Sequence, residues 1–326
     1  MSKLHVLMCC HNGERFVQEQ LESIVAQERP VHGIHVHDFA SRDGTVQTIE
    51  AFARSSAVPV ALTRHADAPG ASLSFFRALA SLAASLGHDD AVLLADQDDV
   101  WLPHKTRALL AVFESISEQE RAVFHDVKVV GSDLAELRPT YYTGNPFALP
   151  RDLHRARLLL ASPVIGHTLV VSAPLVRRVV RLARPQHYLM HDWSLVLFAS
   201  RFGEIRFVPE ALSLYRQHTA NVLGAYGRRR LRDVLRRVGG FSDAVVQQAL
   251  AFSQDIEPAA AECLYRGRVD RWLQALSRRA PSAAYGVLAA SALLLGPTLQ
   301  RKGLAIFIAA HGMRRSFDNI TKPGSS

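Results

Sequence analysis

The chain is poor in cysteine. Its 326 residues include three, Cys9, Cys10 and Cys263. An odd count with two adjacent members excludes a disulfide framework as the basis of the fold. Cys9 and Cys10 stand in an apolar run and read as buried core thiols, which suits a reducing compartment. Nothing at the start reads as a signal peptide, because Met1-Ser2-Lys3 leads at once into a short strand-like run that ends at polar His11. A cytoplasmic location is therefore expected. Low-complexity runs and internal repeats are absent, and 48% of residues are hydrophobic against 21% charged. That balance excludes a disordered chain. There is no Gly-x-Gly-x-x-Gly and no Gly-x-x-x-x-Gly-Lys-Ser/Thr, so neither a dinucleotide-binding turn nor a P-loop is signalled. The Gly-x-Ser-x-Gly elbow is missing as well.

Acid and base are unevenly shared. From Leu223 to Ser326 there are 16 Lys and Arg against 7 Asp and Glu, a net of +9. Met1 to Val222 has 22 against 23, a net of −1. The basic part is either a solvated helix face or a surface drawn to something anionic.

Organisation follows from the apolar pattern. Leu4 to Cys10 is short and apolar and stops at His11-Asn12-Gly13, as a buried strand before a turn does. Helical spacing follows over Glu14 to Gln27. Ile34 to Phe39 and Val58 to Leu62 read as further strands, with a helix from Asp43 to about Ala53 between them. Ser72 to Leu86 is an amphipathic helix and Ala91 to Ala95 a fully apolar strand. Strands alternating with helices predict an α/β fold whose parallel sheet carries helices on both faces. Later, Pro103 to Ser117 reads as helix, Ala122 to Val130 as strand, and Arg138 to Pro150 as loop. Helices are expected near 153–160, 174–182 and 191–202, and the last part is mainly helical and Arg-rich. In open α/β sheets ligands sit beyond the carboxyl ends of the strands. That rule selects His11-Asn12-Gly13, Asp38 to Asp43 and Asp96 to Asp99.

Ala91-Val92-Leu93-Leu94-Ala95-Asp96-Gln97-Asp98-Asp99 is a strand that ends in three carboxylates. Carboxylates this close repel, so an ordered cluster calls for a cation. Hard cations such as Mg²⁺ or Mn²⁺ prefer oxygen ligands and bridge to substrate phosphates. The bland alternative is a solvated acidic turn before a helix, which Pro103 favours. His35 and His37 share one face of their strand; with Asp38 they could form a non-haem iron site or be ordinary strand histidines. Asp192 opens a helix, where the helix dipole favours an acid; beside a cleft it could serve as a general base. His218 is either a metal ligand or a surface histidine.

These segments, taken in order, resemble the glycosyltransferase family 2 type of inverting enzymes with the GT-A fold. The resemblance runs from about residue 4 to 224. It rests on Val6 to Glu14, Gln20-Leu21-Glu22-Ser23-Ile24 with Gln27, Asp38 to Thr45, and Ala95 to Pro103 with Lys105. It continues in Gly166-His167-Thr168, His191-Asp192-Trp193, and Tyr215-Arg216-Gln217-His218 with Asn221. The Asp-Gln-Asp-Asp-Val-Trp run looks like the rhamnosyltransferase-like branch. The resemblance implies a GT-A domain at 1–222 followed by a basic, mainly helical region at 223–326. It implies that Asp38 binds the base and ribose of a UDP- or dTDP-sugar, with Asn12, Asp43, Asp96 and His218 also on the donor side. Asp98, Asp96 and His218 would hold Mg²⁺ or Mn²⁺, with Asp98 the preferred ligand. Asp192 would deprotonate the acceptor hydroxyl, and Gly166, His167, His191 and Trp193 would line the acceptor side. The implied acceptor is a glycan or lipid-linked glycan of the cell surface.

The chain departs from the family at Asp38-Phe39-Ala40-Ser41, where Asp-Asp-Gly-Ser is usual: the second acid and the glycine are lost. Phe39 either stacks on the base or marks a changed pocket. A common Asn is replaced by Ser74. Phe39 and Ala40 favour the competing reading of an inactive, glycan-binding scaffold; intact Asp96, Asp98 and Asp192 oppose it. Residues 280–300 carry no formal charge, but Ala, Ser, Gly, Pro281 and Pro297 dilute the run. With 303–313 it reads as packed or interfacial helices rather than a span. Arg228, Arg229, Arg230, Arg232, Arg236 and Arg237 then point to an anionic membrane surface at the inner face. No aromatic-interleaved basic motif supports nucleic acid.

Overall fold

The computed structural model describes residues 3–142, 153, 158–159, 162–218, 244–245, 247–252 and 254–256. Apolar runs bounded by turn residues become strands here. β1 (Leu4–Cys10), β2 (Gly33–Phe39), β3 (Val60–His65) and β4 (Ala91–Asp96) pair in parallel in the order β3-β2-β1-β4. β1, β2 and β4 are largely buried, and β3 is a half-exposed edge strand. Val6, Leu7 and Met8 of β1 and Val92 to Ala95 of β4 are fully inaccessible. The connecting helices are α1 (Val17–Val25), α2 (Thr45–Ser55) and α3 (Ala71–Ala83). On α1, Val17, Leu21 and Ile24 recur at helical spacing and join the core with Val6, Met8, Ile34 and Leu93. Each such side chain contributes about 1.5–3 kcal/mol by leaving water.

Beyond β4 the pairing changes. The elements are β5 (Val100–Trp101), α4 (Lys105–Phe113), β6 (Arg121–Val130), β7 (Glu136–Arg138), β8 (Val170–Ser172), α5 (Ala173–Val179), α6 (His191–Phe202) and β9 (Glu204–Arg216). The sheet continues β4-β8-β6-β9-β5, with β7 against β6. β6 and β9 run parallel; the other new pairs are antiparallel. The architecture is thus α/β with the GT-A arrangement anticipated, but its sheet is mixed and curled. The parallel expectation holds across β3-β2-β1-β4, where helices cross over between strands.

The sequence pattern also concealed β9. Pro209 interrupts its alternation, and proline cannot donate to a ladder. The register shifts there: Val208 pairs with His125 and Ala211 with Asp126, so Pro209 and Glu210 fall outside the ladder. A bulge of this kind admits the proline and restores pairing down to Arg216.

The altered Phe39-Ala40 turn carries strain. Ala40 has φ 57°, in the left-handed region that glycine occupies without cost. Holding alanine there costs roughly 1–2 kcal/mol. Ala40→Gly should therefore raise stability by about 0.5–1 kcal/mol, after the larger unfolded-state entropy of glycine is subtracted. Urea unfolding checks this, and a lower midpoint would reject it.

The chain divides into two compact units, one of Met1–Leu153, Pro163–Leu182 and Met190–Tyr226, the other of His154–Ser162, Ala183–Leu189 and Gly227–Ser326. In the second, Tyr188 Oη donates to Asp255 Oδ2 at 2.8 Å and the Leu189 N–H donates to Gln248 Oε1 at 2.9 Å. The loop reading of 143–150, most of the helix expected at 153–160, Asn221, the Arg cluster of 228–237, and 280–313 lie outside the described residues. Among the described residues, no helix is long and apolar enough to cross a membrane.

Candidate active site

The loops after β1 and β2 are tied together at the carboxyl edge of the sheet. Asn12 takes a left-handed conformation, φ 50°, which Asn tolerates. Its N–H donates to Ser41 Oγ at 2.8 Å and its Oδ1 accepts the Arg42 N–H at 2.9 Å. The Gly13 N–H donates to Thr45 Oγ1 at 2.7 Å. Asp43 accepts from the Thr45 hydroxyl (2.5 Å) and from the Glu14 N–H (3.2 Å). Asn12 and Asp43, expected to touch the donor, are therefore engaged in shaping the loops that would receive it. Gln97 pairs with the His11 backbone through two bonds, accepting its N–H at 2.9 Å and donating to its carbonyl at 3.1 Å. A Cβ at Gly13 would lie 2.3 Å from Gln97 Oε1, so glycine is what leaves room for that pairing.

One face of α1, with Gln27 just past its end, braces the acidic loop. Gln20 Nε2 donates to the Asp96 carbonyl at 2.9 Å, Ser23 Oγ accepts the Trp101 N–H at 3.0 Å, and Gln27 Nε2 donates to the Leu102 carbonyl at 2.9 Å. These three residues explain why the Gln20 to Gln27 segment belongs with the acidic motif: they fix Asp96 to Leu102 in one path.

The carboxylates divide into two groups. Asp98 Oδ2 meets His218 Nε2 at 2.8 Å. Burial raises the Asp98 carboxyl to about 6, and the negative charges of Asp99 and Asp96 push the same way. Asp96 and Asp99 turn instead toward His167. His167 Nδ1 lies 2.8 Å from Asp99 Oδ2 and 3.5 Å from Asp96 Oδ2. The closer contact lacks hydrogen-bond alignment, so it acts as a charge contact. Burial opposes a charge on His167, yet Asp99 and Asp96 outweigh it and lift the imidazole to about 9. Among the described residues, Asp96, Asp99 and His167 are the set of three metal-ligating side chains whose ligand atoms fall within 4.8 Å of one another. The expected trio of Asp96, Asp98 and His218 is thus split, and His167, expected on the acceptor side, is wholly buried beneath the carboxylates. Lys105 completes this layer, with Nζ donating to the His167 carbonyl at 2.8 Å and lying 3.9 Å from the Trp101 ring centroid.

Asp192 stands apart in the first turn of α6. Its Oδ1 accepts the Trp193 N–H at 2.6 Å. Burial raises its carboxyl to about 7, the Trp193 N–H opposes, and Asp96 adds to the rise. His191 stacks on Phe75, centroids 4.0 Å apart, and burial lowers it to about 3, so it is neutral. A Cβ at Gly166 would lie 3.0 Å from His191 Nε2 and 3.4 Å from Asp192 Oδ2, so that side of the carboxylate is kept clear of a side chain. The Trp193 ring is buried.

Asp38 Oδ2 accepts the Ser41 N–H at 3.2 Å, while its buried Oδ1 has no hydrogen-bond partner. Phe39 is 1% exposed and stacks on His65 with centroids 4.1 Å apart, which closes both faces of the ring to a nucleobase. His35 pairs with His5 at 3.1 Å and His37 with His65 at 3.0 Å. One nitrogen of each is engaged in this way, and they form no three-ligand group with Asp38 among the described residues.

Lys105 and Arg216 were given no role in the sequence reading, and Asp99 was read only as part of the acidic cluster. Each lies inside a motif that was recognised. A lysine on the apolar face of α4 next to an acidic turn was the signal for Lys105.

Comparison with known proteins fits this arrangement. Residues 2–235 match the family described as glycosyltransferase-like family 2. A curated relative, the dTDP-rhamnosyl transferase RfbG of Shigella flexneri, is 23% identical over 227 residues, covering 67% of this chain and 74% of its own. Among solved structures, S. aureus TarS 1–349 in complex with UDP-GlcNAc superposes with a TM-score of 0.54 at 14% identity, over 98% of this chain and 91% of that one. A longer S. aureus TarS structure gives a TM-score of 0.51 at 14% identity, over 97% and 54%. With the family match spanning most of its length, this chain belongs to the glycosyltransferase-like family 2 and is a glycosyltransferase.

Proposed function

We propose that the protein is an inverting, divalent-metal-dependent transferase that moves a sugar from a UDP- or dTDP-sugar to a cell-surface glycan on a lipid carrier, with dTDP-rhamnose the favoured donor. The observation that carries the reading is the pairing of two acidic features at one sheet edge. One is the crowded Asp96-Asp98-Asp99 cluster with two histidines against it. The other is a separate carboxyl, Asp192, raised to about 7.

The cluster's chemistry fits a hard cation, since burial and mutual repulsion lift Asp98 toward 6 and a cation would relieve both. Asp98 and His218, which already meet, are assigned to hold Mg²⁺ or Mn²⁺, with Asp96, now turned toward His167, as a supporting ligand. When bound, such a cation supplies Lewis-acid stabilisation of a departing diphosphate. Asp192 is assigned as the base. The acceptor oxygen attacks the anomeric carbon, the bond from that carbon to the diphosphate oxygen breaks, and the hydroxyl proton passes to Asp192. Attack opposite the leaving group inverts the anomeric centre. The orphaned Asp38 Oδ1 suits the imide N–H of uracil or thymine. The rhamnosyl donor rests on the relative's name and the motif resemblance.

In this reading residues 1–222 form the catalytic domain. The basic region at 223–326 draws the enzyme to an anionic membrane surface at the cytoplasmic side, and nucleic acid is no partner. A catalytically inactive scaffold is the second reading, supported by the closed Phe39 ring and the strained Ala40.

Thermal-shift measurements with UDP- and dTDP-sugars, with and without Mn²⁺, test the proposal. Ligand at a hundred times its Kd should stabilise by about 2.7 kcal/mol, and only with metal and nucleotide together. No joint stabilisation would remove the metal-dependent reading; binding without turnover would favour the scaffold.

A further inference from the structure

We propose that Arg216 is the positioning residue that sets the separation of Asp98 from His218. This deepens the proposed function, because it rests on those two side chains holding the metal. Arg216 is 2% exposed at the end of β9 and meets the acidic loop through both backbone and side chain. Its N–H donates to Asp99 Oδ1 at 3.0 Å, and its Nε donates to the Asp98 carbonyl at 2.7 Å. Nη1 donates to the Ser132 carbonyl at 2.8 Å and Nη2 to the Glu19 carboxylate at 2.5 Å. One planar guanidinium therefore joins the acidic loop, α1 and the turn after β6.

The same group determines where His218 sits. The guanidinium carbon lies 4.6 Å from the Phe16 ring centroid, and that ring stacks on the His218 imidazole, centroids 5.1 Å apart. Asp98 is thus fixed through its backbone carbonyl, and His218 through Phe16 and the two-residue step along the chain. The part-buried carbonyls of Asp98 and Ser132 need donors fixed in direction, which lysine, a point charge on a flexible stem, supplies less well.

The test uses the full-length chain, with Mn²⁺ binding read from the free-ion EPR signal and initial rates measured against Mn²⁺. Arg216→Met should raise the apparent Mn²⁺ Kd by about ten-fold or more, the usual effect of losing a residue that orients metal ligands. At saturating Mn²⁺ its kcat should stay within about three-fold of wild type, and Arg216→Lys should recover part of the affinity. Glu19→Gln removes only the outer partner, a half-exposed carboxylate. It should weaken Mn²⁺ about two- to three-fold with an unchanged melting temperature. Wild-type Mn²⁺ affinity in Arg216→Met overturns the inference. If that variant does not fold, unchanged affinity in Glu19→Gln overturns it instead. A wild-type enzyme that binds no Mn²⁺ is a distinguishable result: it rejects the metal reading beneath the inference, and the inference with it.

Discussion

Asp192→Asn is expected to lower kcat by about a thousand-fold or more while making the protein more stable at neutral and alkaline pH. The rate loss follows from removing the group assigned to take the acceptor proton, since a positioned base contributes about 10²–10⁴-fold. The stability gain follows from its burial. The Asp192 carboxyl rises from an ordinary 3.8 to about 7, with burial the largest cause. A carboxyl with a folded value above its unfolded value holds its proton more tightly when folded. Stability therefore falls as pH rises from about 4 through 7, and the full penalty stands above 7. That difference corresponds to about 4 kcal/mol at most. The buried amide of Asn returns part of it, leaving a net gain of about 1–3 kcal/mol. For a domain this large that is a rise of roughly 3–8 °C in Tm at pH 8, vanishing near pH 5. The wild-type rate should climb with unit slope and level off above about pH 7, as the carboxylate forms. A variant that keeps turnover, or that is less stable than wild type at pH 8, would reject the assignment.

Most of the first half of this fold was legible in the sequence. β1, β2 and β4 are short, largely apolar runs with turn residues at their ends, and in the second half α6 spans the expected His191–Phe202. Periodicity suffices where an element buries one continuous face. It failed at β9 because Pro209 breaks the alternation and the bulge that absorbs it lies in the pairing with β6. β5 and β8 were missed because two- and three-residue strands carry no period.

The site divides in the same way. Asp38, Asp98, Asp192 and His218 could be singled out as candidates because their order matches a known family. That Asp98 pairs with His218, whereas Asp96 and Asp99 turn to His167, depends on residues 68 to 120 positions apart meeting in space. No local pattern encodes that. The departure at Phe39 was visible, but its consequence needed the third strand: His65 of β3 pairs with Phe39 and covers its ring.

The second large effect is expected at Asp98 and separates the two groups of acids. Asp98→Asn should abolish the Mn²⁺-dependent rise in Tm and reduce transfer at least about a hundred-fold, because an amide cannot neutralise a divalent cation. The metal-free variant should be more stable than wild type above pH 6. Burial, Asp99 and Asp96 raise the Asp98 carboxyl to about 6, so the ionised form is disfavoured by folding and its cost is fully present above that pH. In wild type, Mn²⁺ must displace a proton from Asp98 as pH falls through 6, so its affinity should drop there; in Asp98→Asn that step should disappear. The histidines then discriminate. His218→Gln should weaken Mn²⁺ with little change in Tm. His167→Gln should lower Tm instead, because it leaves the buried Asp99 carboxylate without its cation, a change of the kind that costs about 3–5 kcal/mol. The opposite outcome, with Mn²⁺ affinity lost in His167→Gln and kept in His218→Gln, would move the metal to Asp96, Asp99 and His167.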